Sequence, residues 1–241
     1  MKLAVLAGGV VSIAGLIIGT PACKAADVWG GSVAVTSDYL VRGITRTYNQ
    51  GAAQIDLHYL NSSGFIAGLF ASNTQFEGSA PKIAELSEFL GWTWASGNDW
   101  REKILYNHYA YPFSPAGSGY EYDELDLDAT YHGWLDFNFT YSPNSPRFLR
   151  QRGLFDTSSS SAEVNVQRRA AGKLSATAGI GYSYVSGPKG AGYGYASLGA
   201  AFDLAPVSLA ISYVDTTGSA KSLYYDAAAR GRWTATVIWR F

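Results

Sequence analysis

The sequence predicts an all-β chain that closes into a transmembrane, antiparallel, up-and-down barrel of about 12 strands. Three observations predict it. Apolar and polar residues alternate with a period of two over stretches mostly 9–13 residues long, and such alternation makes a strand with one greasy and one polar face. Strands in soluble proteins average about 5–6 residues, against about 9–11 for tilted strands that cross a membrane. Tight turns and longer loops also take turns along the chain without a break.

The chain opens with Met1-Lys2, an apolar run from Leu3 to Gly19, and Cys23-Lys24-Ala25 as a small-x-small site before Ala26. That is the layout of a secretory signal, so residues 1–25 are expected to be removed and 26–241 to form the barrel. The run is marginal for a spanning helix, which needs about 20 residues. Thr20-Pro21-Ala22 is a poor lipobox ahead of Cys23, the sole cysteine, so the expected mature chain carries no thiol or disulfide.

The strand candidates follow at 31–42, 51–60, 64–73, 83–95, 99–111, 120–131, 134–142, 160–169, 173–185, 193–203, 207–215 and 230–241. Their number is even, as in bacterial single-chain barrels. Tight turns are expected at Asn61-Ser62-Ser63-Gly64, Ser96-Gly97-Asn98, His132-Gly133, Ala170-Ala171-Gly172 and Leu204-Ala205-Pro206. Between them lie longer loops at 43–50, 74–82, 112–119, 143–159, 186–192 and 216–229. Short periplasmic turns and long outer loops are the asymmetry of such barrels, which places both termini in the periplasm.

Facing follows from the alternation. Leu135, Phe137, Phe139 and Tyr141 oppose Asp136, Asn138 and Thr140; Ile55, Leu57 and Tyr59 oppose Gln54, Asp56 and His58. A charge at mid-membrane costs about 2–4 kcal/mol, so the polar face must look inward. In the last strand Trp233, Ala235, Val237, Trp239 and Phe241 share the greasy face, with Ile238 a misfit on the other. Aromatics gather at the ends of the greasy faces: Tyr59, Trp94, Trp100, Trp239 and Phe241 near the short turns, Tyr39, Tyr141, Tyr182, Tyr213 and Trp233 near the long loops. Membrane interfaces select two such belts. A soluble β-sandwich would explain one greasy face per strand, but not the strand lengths, loop alternation and aromatic end together. Glu88 breaks the pattern by sharing parity with Leu86 and Leu90, and a bulge that switches faces would account for it. His108 is ambiguous in facing.

Losing Lys2 and Lys24 leaves 16 basic against 19 acidic residues, a balance that argues against a nucleic-acid partner. No histidine, cysteine and carboxylate cluster has metal-ligand spacing, and no glycine loop has phosphate-cradling context. A lipid-facing lipase would need a serine–histidine pair near the outer leaflet; the sequence singles out none, so no enzyme and no cofactor are expected.

Ending on an aromatic strand resembles the terminal strand of bacterial outer-membrane barrels. Ser37-Asp38-Tyr39-Leu40-Val41-Arg42-Gly43, then Tyr106 to Pro112, Glu124-Leu125, Tyr141-Ser142-Pro143, Ile211 to Asp215 and Phe241 occur in order. Together they resemble the TorF family of porin-like proteins over essentially the whole mature chain, with a departure at Ser87-Glu88, where an Asp ahead of a Gly would be expected. The resemblance implies an outer-membrane barrel with a pore role, and brings no catalytic residues. Its expected partners are outer-membrane lipids and lipopolysaccharide, together with the barrel-assembly machinery through the strand ending at Phe241.

The residues expected to line the lumen are Asp38, Arg42, Asp56, His58, Arg101, Lys103, Glu124, Asp126, Asp128, Asp136, Arg232 and Arg240. One wall would be charged. The other is low, built from groups such as Ser175, Thr177, Gly179, Ser197, Gly199, Ala201, Ser208 and Ser212. Asp38 and Arg42 are expected to pair beneath the first outer loop, fixing the turn at Gly43. Barrels of about 8 strands fill with side chains and those of 16 leave channels, so 12 implies a narrow passage. The expectation is passive diffusion of small hydrophilic solutes; the alternative is a closed structural or surface-interaction barrel stapled by internal salt bridges. Arg147, Arg150 and Arg152 on the longest outer loop would be solvated, or would meet anionic lipopolysaccharide or solutes.

Overall fold

The computed structural model describes residues 27–75, 82–114, 120–146, 156–186 and 190–241. The expected signal segment 1–25 and the Arg147, Arg150 and Arg152 cluster lie outside the described residues. In chain order the elements are β1 (Val28–Thr36), β2 (Leu40–Val41), β3 (Ile44–Thr45), β4 (Ala52–Leu60), β5 (Phe65–Thr74), β6 (Ile83–Ser96), β7 (Trp100–Ala110) and β8 (Tyr122–Tyr131). They continue as β9 (Leu135–Pro146), β10 (Asp156–Ala171), β11 (Leu174–Val185), β12 (Ala191–Leu204), β13 (Val207–Thr216), α1 (Gly218–Leu223), α2 (Asp226–Ala229) and β14 (Arg232–Arg240).

All strands except β2 and β3 form one closed antiparallel barrel of twelve, each paired to the next in sequence. The ring closes where β1 meets β14, with Val35 opposite Val237 and Ser32 opposite Arg240. Beyond them Gly31 and Phe241 exchange backbone hydrogen bonds of 3.0 and 3.1 Å. Closure pairs every strand on both sides, the condition for a sheet to sit in lipid. It also abolishes the edges at which sheets aggregate.

The alternation sorts the two faces as expected. Ile180 and Leu198 are 67% and 68% exposed on the outer wall, while Glu85 and Asn107 inside are 1% exposed. An outer surface of Leu, Ile, Val and aromatic side chains suits lipid, not water. The misfit Ile238 points inward into an apolar cluster with Ala34, Tyr39, Ala52 and Phe70. A second interior cluster joins Leu60, Ile66, Phe89 and Leu105.

The tight turns have local causes. Asn61 accepts from the amides of Ser63 and Phe65 at 2.9 and 3.0 Å, an Asx turn ahead of Gly64 at φ +89°. His132 and Gly133 both take positive φ, at 49° and 68°, and the Trp134 amide bonds the Tyr131 carbonyl. That is the handedness a hairpin prefers.

Three expectations are corrected. The first wall strand stops at Thr36, and residues from Ser37 on leave the wall, so Tyr39 is buried within the barrel and absent from the outer aromatic belt. Glu88 marks no bulge: the β5–β6 and β6–β7 registers run unbroken past it, and its side chain stays on the outer face. Register shifts occur instead in β10, between Thr157 and Ser159 and between Arg169 and Ala171. The strands also reach into the stretch 143–159 expected as loop, since β9 runs to Pro146 and β10 starts at Asp156.

Candidate functional site in the lumen

On β8, Leu125 and Leu127 face out, which forces Glu124, Asp126 and Asp128 inward. Each meets a partner from an adjacent strand or the lumen. Lys103 of β7 approaches Asp128 at 3.1 Å, and Asn138 of β9 donates to the same carboxylate at 2.8 Å. Asn107 donates to Asp126 at 2.9 Å, leaving Asp126 Oδ1 buried without a partner. Asp136 accepts from Thr130 at 2.6 Å, and Glu163 of β10 accepts from Asn165 at 2.7 Å. The wall from β8 to β10 therefore carries more carboxylates than cations.

The remaining expected residues are spread around the ring. His58 Nδ1 lies 2.7 Å from Asp56 on β4. Arg240 donates to Ser208 at 2.8 Å near the short-turn rim. Arg101, half-buried on the inward side of β7, donates to the carbonyl of Trp100 at 2.8 Å.

The segment from Ser37 to Gln50 crosses this space as a small hairpin of β2 and β3. Asp38 and Arg42 do not pair with each other, contrary to expectation. Asp38 accepts from Arg232 of β14 at 2.8 Å and from Thr45 and Thr47 at 2.5 and 2.8 Å. Arg42 instead reaches the acidic wall, bonding Glu124 at 2.5 Å and Thr140 at 2.7 Å. Positive φ at Arg42 (52°) and Gly43 (78°) turns the guanidinium away from Asp38. The Tyr39 hydroxyl donates to Glu85 of β6 at 2.8 Å, and Tyr111 donates to the other oxygen of Glu85 at 2.8 Å. Burial, and next the charge of Glu85, push both phenols well above their ordinary pKa, so they remain donors. Burial disfavours the Arg42 charge, yet Glu124 outweighs it and raises the pKa well above the ordinary guanidinium value.

The long-loop end is filled from the other side too. Tyr193 and Tyr195 of β12 pack with Ile44, Ala220, Ala228 and Ala229, seating α1 and α2 on the hairpin. A cavity of about 70 Å³ remains there, lined in part by Arg42, Arg46, Tyr193 and Tyr224. Below it a space of about 20 Å³ lies among Tyr39, Asp56, Phe89 and Glu124, room for about one water.

Sequence reasoning missed Glu85, Glu163, Tyr193 and Tyr195 as inward groups. Parity against the outward Val164 and Val166 could have found Glu163; Glu85 was hidden because its wall is apolar inside, at Phe89, and charged outside, at Glu88.

Residues 23–240 match the family described as "Bacterial protein of unknown function (Gcw_chp)". The chain belongs to that family. The match carries this description and not the TorF name. No curated protein matches the sequence of this Gcw_chp member. Among solved structures, the NanC porin covers 88% of this chain and 98% of its own at a TM-score of 0.52 and 9% identity. A membrane protein from work on in-meso crystallization matches at a TM-score of 0.52 and 12% identity, covering 88% of this chain and 83% of its own. The CymD monoaromatic hydrocarbon channel matches at 0.48 and 10% identity, over 90% and 89% of the two chains. At these identities what the first two share with this Gcw_chp chain is the closed barrel.

Proposed function

We propose that this protein is an outer-membrane pore for passive diffusion of small hydrophilic solutes, with cations favoured over anions. The observation that carries the reading is the lumen's asymmetry: carboxylates on β8 to β10 lie beside a wall of Ser, Thr, Gly and Ala on β11 to β13. Small groups leave space, and a surplus of fixed negative charge beside it raises the local concentration of cations. Asp38, Arg42, Asp56, His58, Arg101, Lys103, Glu124, Asp126, Asp128, Asp136, Arg232 and Arg240 are the proposed pore-lining set. In this reading the short-turn rim and both termini face the periplasm, residues 1–25 direct export, and Phe241 engages the assembly machinery. Lipopolysaccharide surrounds the outer rim, and the ordered TorF-like motifs support the same assignment.

Planar-bilayer recording of the refolded protein tests it. Stepwise currents are expected, and a silent bilayer with protein shown to be inserted would overturn the pore reading. The hairpin at 37–50 favours a second reading, a closed barrel whose outer surface does the work, because it is tied to β5, β6, β8, β9 and β14. A silent wild type that conducts once residues 38–49 are replaced by a short Gly-Ser linker would establish that second reading.

A further inference from the structure

The cavity of about 70 Å³ at the long-loop end lies where the hairpin at 37–50, the wall strands β9 to β12 and α2 meet. Two of its lining residues carry charge, Arg42 and Arg46, and both are cations. Among the described residues no carboxylate lines it; Glu124, the partner of Arg42, opens onto the smaller space below.

Arg42 commits a single nitrogen to the acidic wall, since Nη2 bonds both Glu124 and Thr140. Its Nε and Nη1 make no hydrogen bond among the described residues, and neither is sealed from solvent. The hydroxyls of Ser145 on β9 and Ser159 on β10 line the same cavity and likewise bond no described residue. Buried donors without acceptors cost free energy until something accepts from them. An acceptor that also carries negative charge answers both needs of this cavity, with the stronger, charge-assisted kind of hydrogen bond. The space has room for about five waters, and a phosphate or a short carboxylate is about that size. Tyr225 at its edge is 42% exposed, so a ligand can enter from the long-loop side.

We infer that this cavity binds a small oxyanion, a phosphate or a short-chain carboxylate, between Arg42 and Arg46 on the hairpin and Ser145 and Ser159 on the wall. Donors reach the space from both the hairpin and the wall. An anion with several oxygens satisfies them together, which a single halide ion cannot do. Seated there, the anion ties the hairpin to the wall. It is an effector and not cargo, because Glu124, Asp126 and Asp128 stand below and their charge opposes its passage further into the lumen. The site is read by binding and not by current, so its failure leaves the pore reading untouched, and a silent bilayer leaves the site untouched.

Calorimetric titration of the refolded full chain in mild detergent tests the site. Sodium phosphate and sodium acetate are titrated separately, with ionic strength held constant by chloride. Saturable binding of one anion per chain is expected from at least one of them; phosphate alone marks a phosphate site, acetate alone a carboxylate site. Ser159→Ala removes one donor and should raise the dissociation constant about tenfold. Ser159→Asp sets a carboxylate in the cavity and should abolish the binding. Ser175→Ala, a buried position at the opposite end of the lumen, should leave it unchanged. Circular dichroism confirms that each variant is folded. No saturable binding of either anion, or binding that survives Ser159→Asp, would overturn the inference.

Discussion

On the wall from β5 to β8, Phe70, Phe89, Leu105, Tyr109 and Tyr122 turn inward, whereas β11 to β13 turn in Ser175, Thr177, Gly199, Ala201, Ser208 and Ser212. Both walls belong to one ring whose width is set by strand number and tilt, so their difference is one of side-chain volume alone. The bulky wall closes space by packing against Tyr39 and Ile238. The low wall brings less bulk into the lumen, and near the long loops Tyr193, Tyr195 and the helices fill in. Twelve strands, then, do not decide whether a barrel conducts.

The largest expected effect comes from cutting the hairpin loose. Arg232→Ala strands the carboxylate of Asp38, which is 3% exposed, and breaking such a buried pair costs about 3–5 kcal/mol. Urea unfolding of the barrel in detergent, followed by tryptophan emission, should show the loss. Single-channel current should rise as the segment loosens, and an unchanged midpoint with unchanged current would mean that the ion pair anchors nothing. Next in size is Phe89→Ala, which empties the centre of the bulky wall and should cost about 3 kcal/mol in the same titration. A negligible loss would show that water already reaches that cluster.

Ser208→Phe reverses the comparison by building bulk into the low wall. Losing the buried hydroxyl that bonds Arg240 and Asp203 should cost about 1–3 kcal/mol, while current should fall roughly by half as the passage narrows; an unaltered current would move the path away from that wall. The subtlest test is to neutralise Glu124, Asp126 and Asp128 together as Gln, Asn and Asn. In a salt gradient the reversal potential should shift toward anions, and a fixed potential would remove those carboxylates from the path.

Much of this was legible because lipid imposes a simple rule. Leu125 and Leu127 must face out, so Glu124, Asp126 and Asp128 must face in, and the twelve wall strands and their turns follow from the same alternation. The rule says nothing about what lies inside. Ser37 to Arg42 keeps strand-like parity, so it read as wall, although hydrogen bonds from Thr45, Thr47 and Arg232 to Asp38 draw it into the lumen. Glu88 and Phe89 invert the usual sides because their wall packs bulk within. The helices at 218–229 were invisible for a related reason: Ala220, Ala228 and Ala229 are buried by tyrosines distant in sequence.

Gly31 and Phe241, whose backbones trade hydrogen bonds across the closing seam, belong to strands far apart in sequence. A side chain on Gly31 would run into both the Phe241 ring and the backbone of Asp56. The first wall strand thus lacks one neighbour until β14 has formed, and any folding intermediate short of that step is a ribbon with two raw borders. Any purification tag fused after Phe241 would hang from that joint, and placing it in a long loop instead would spare the latch.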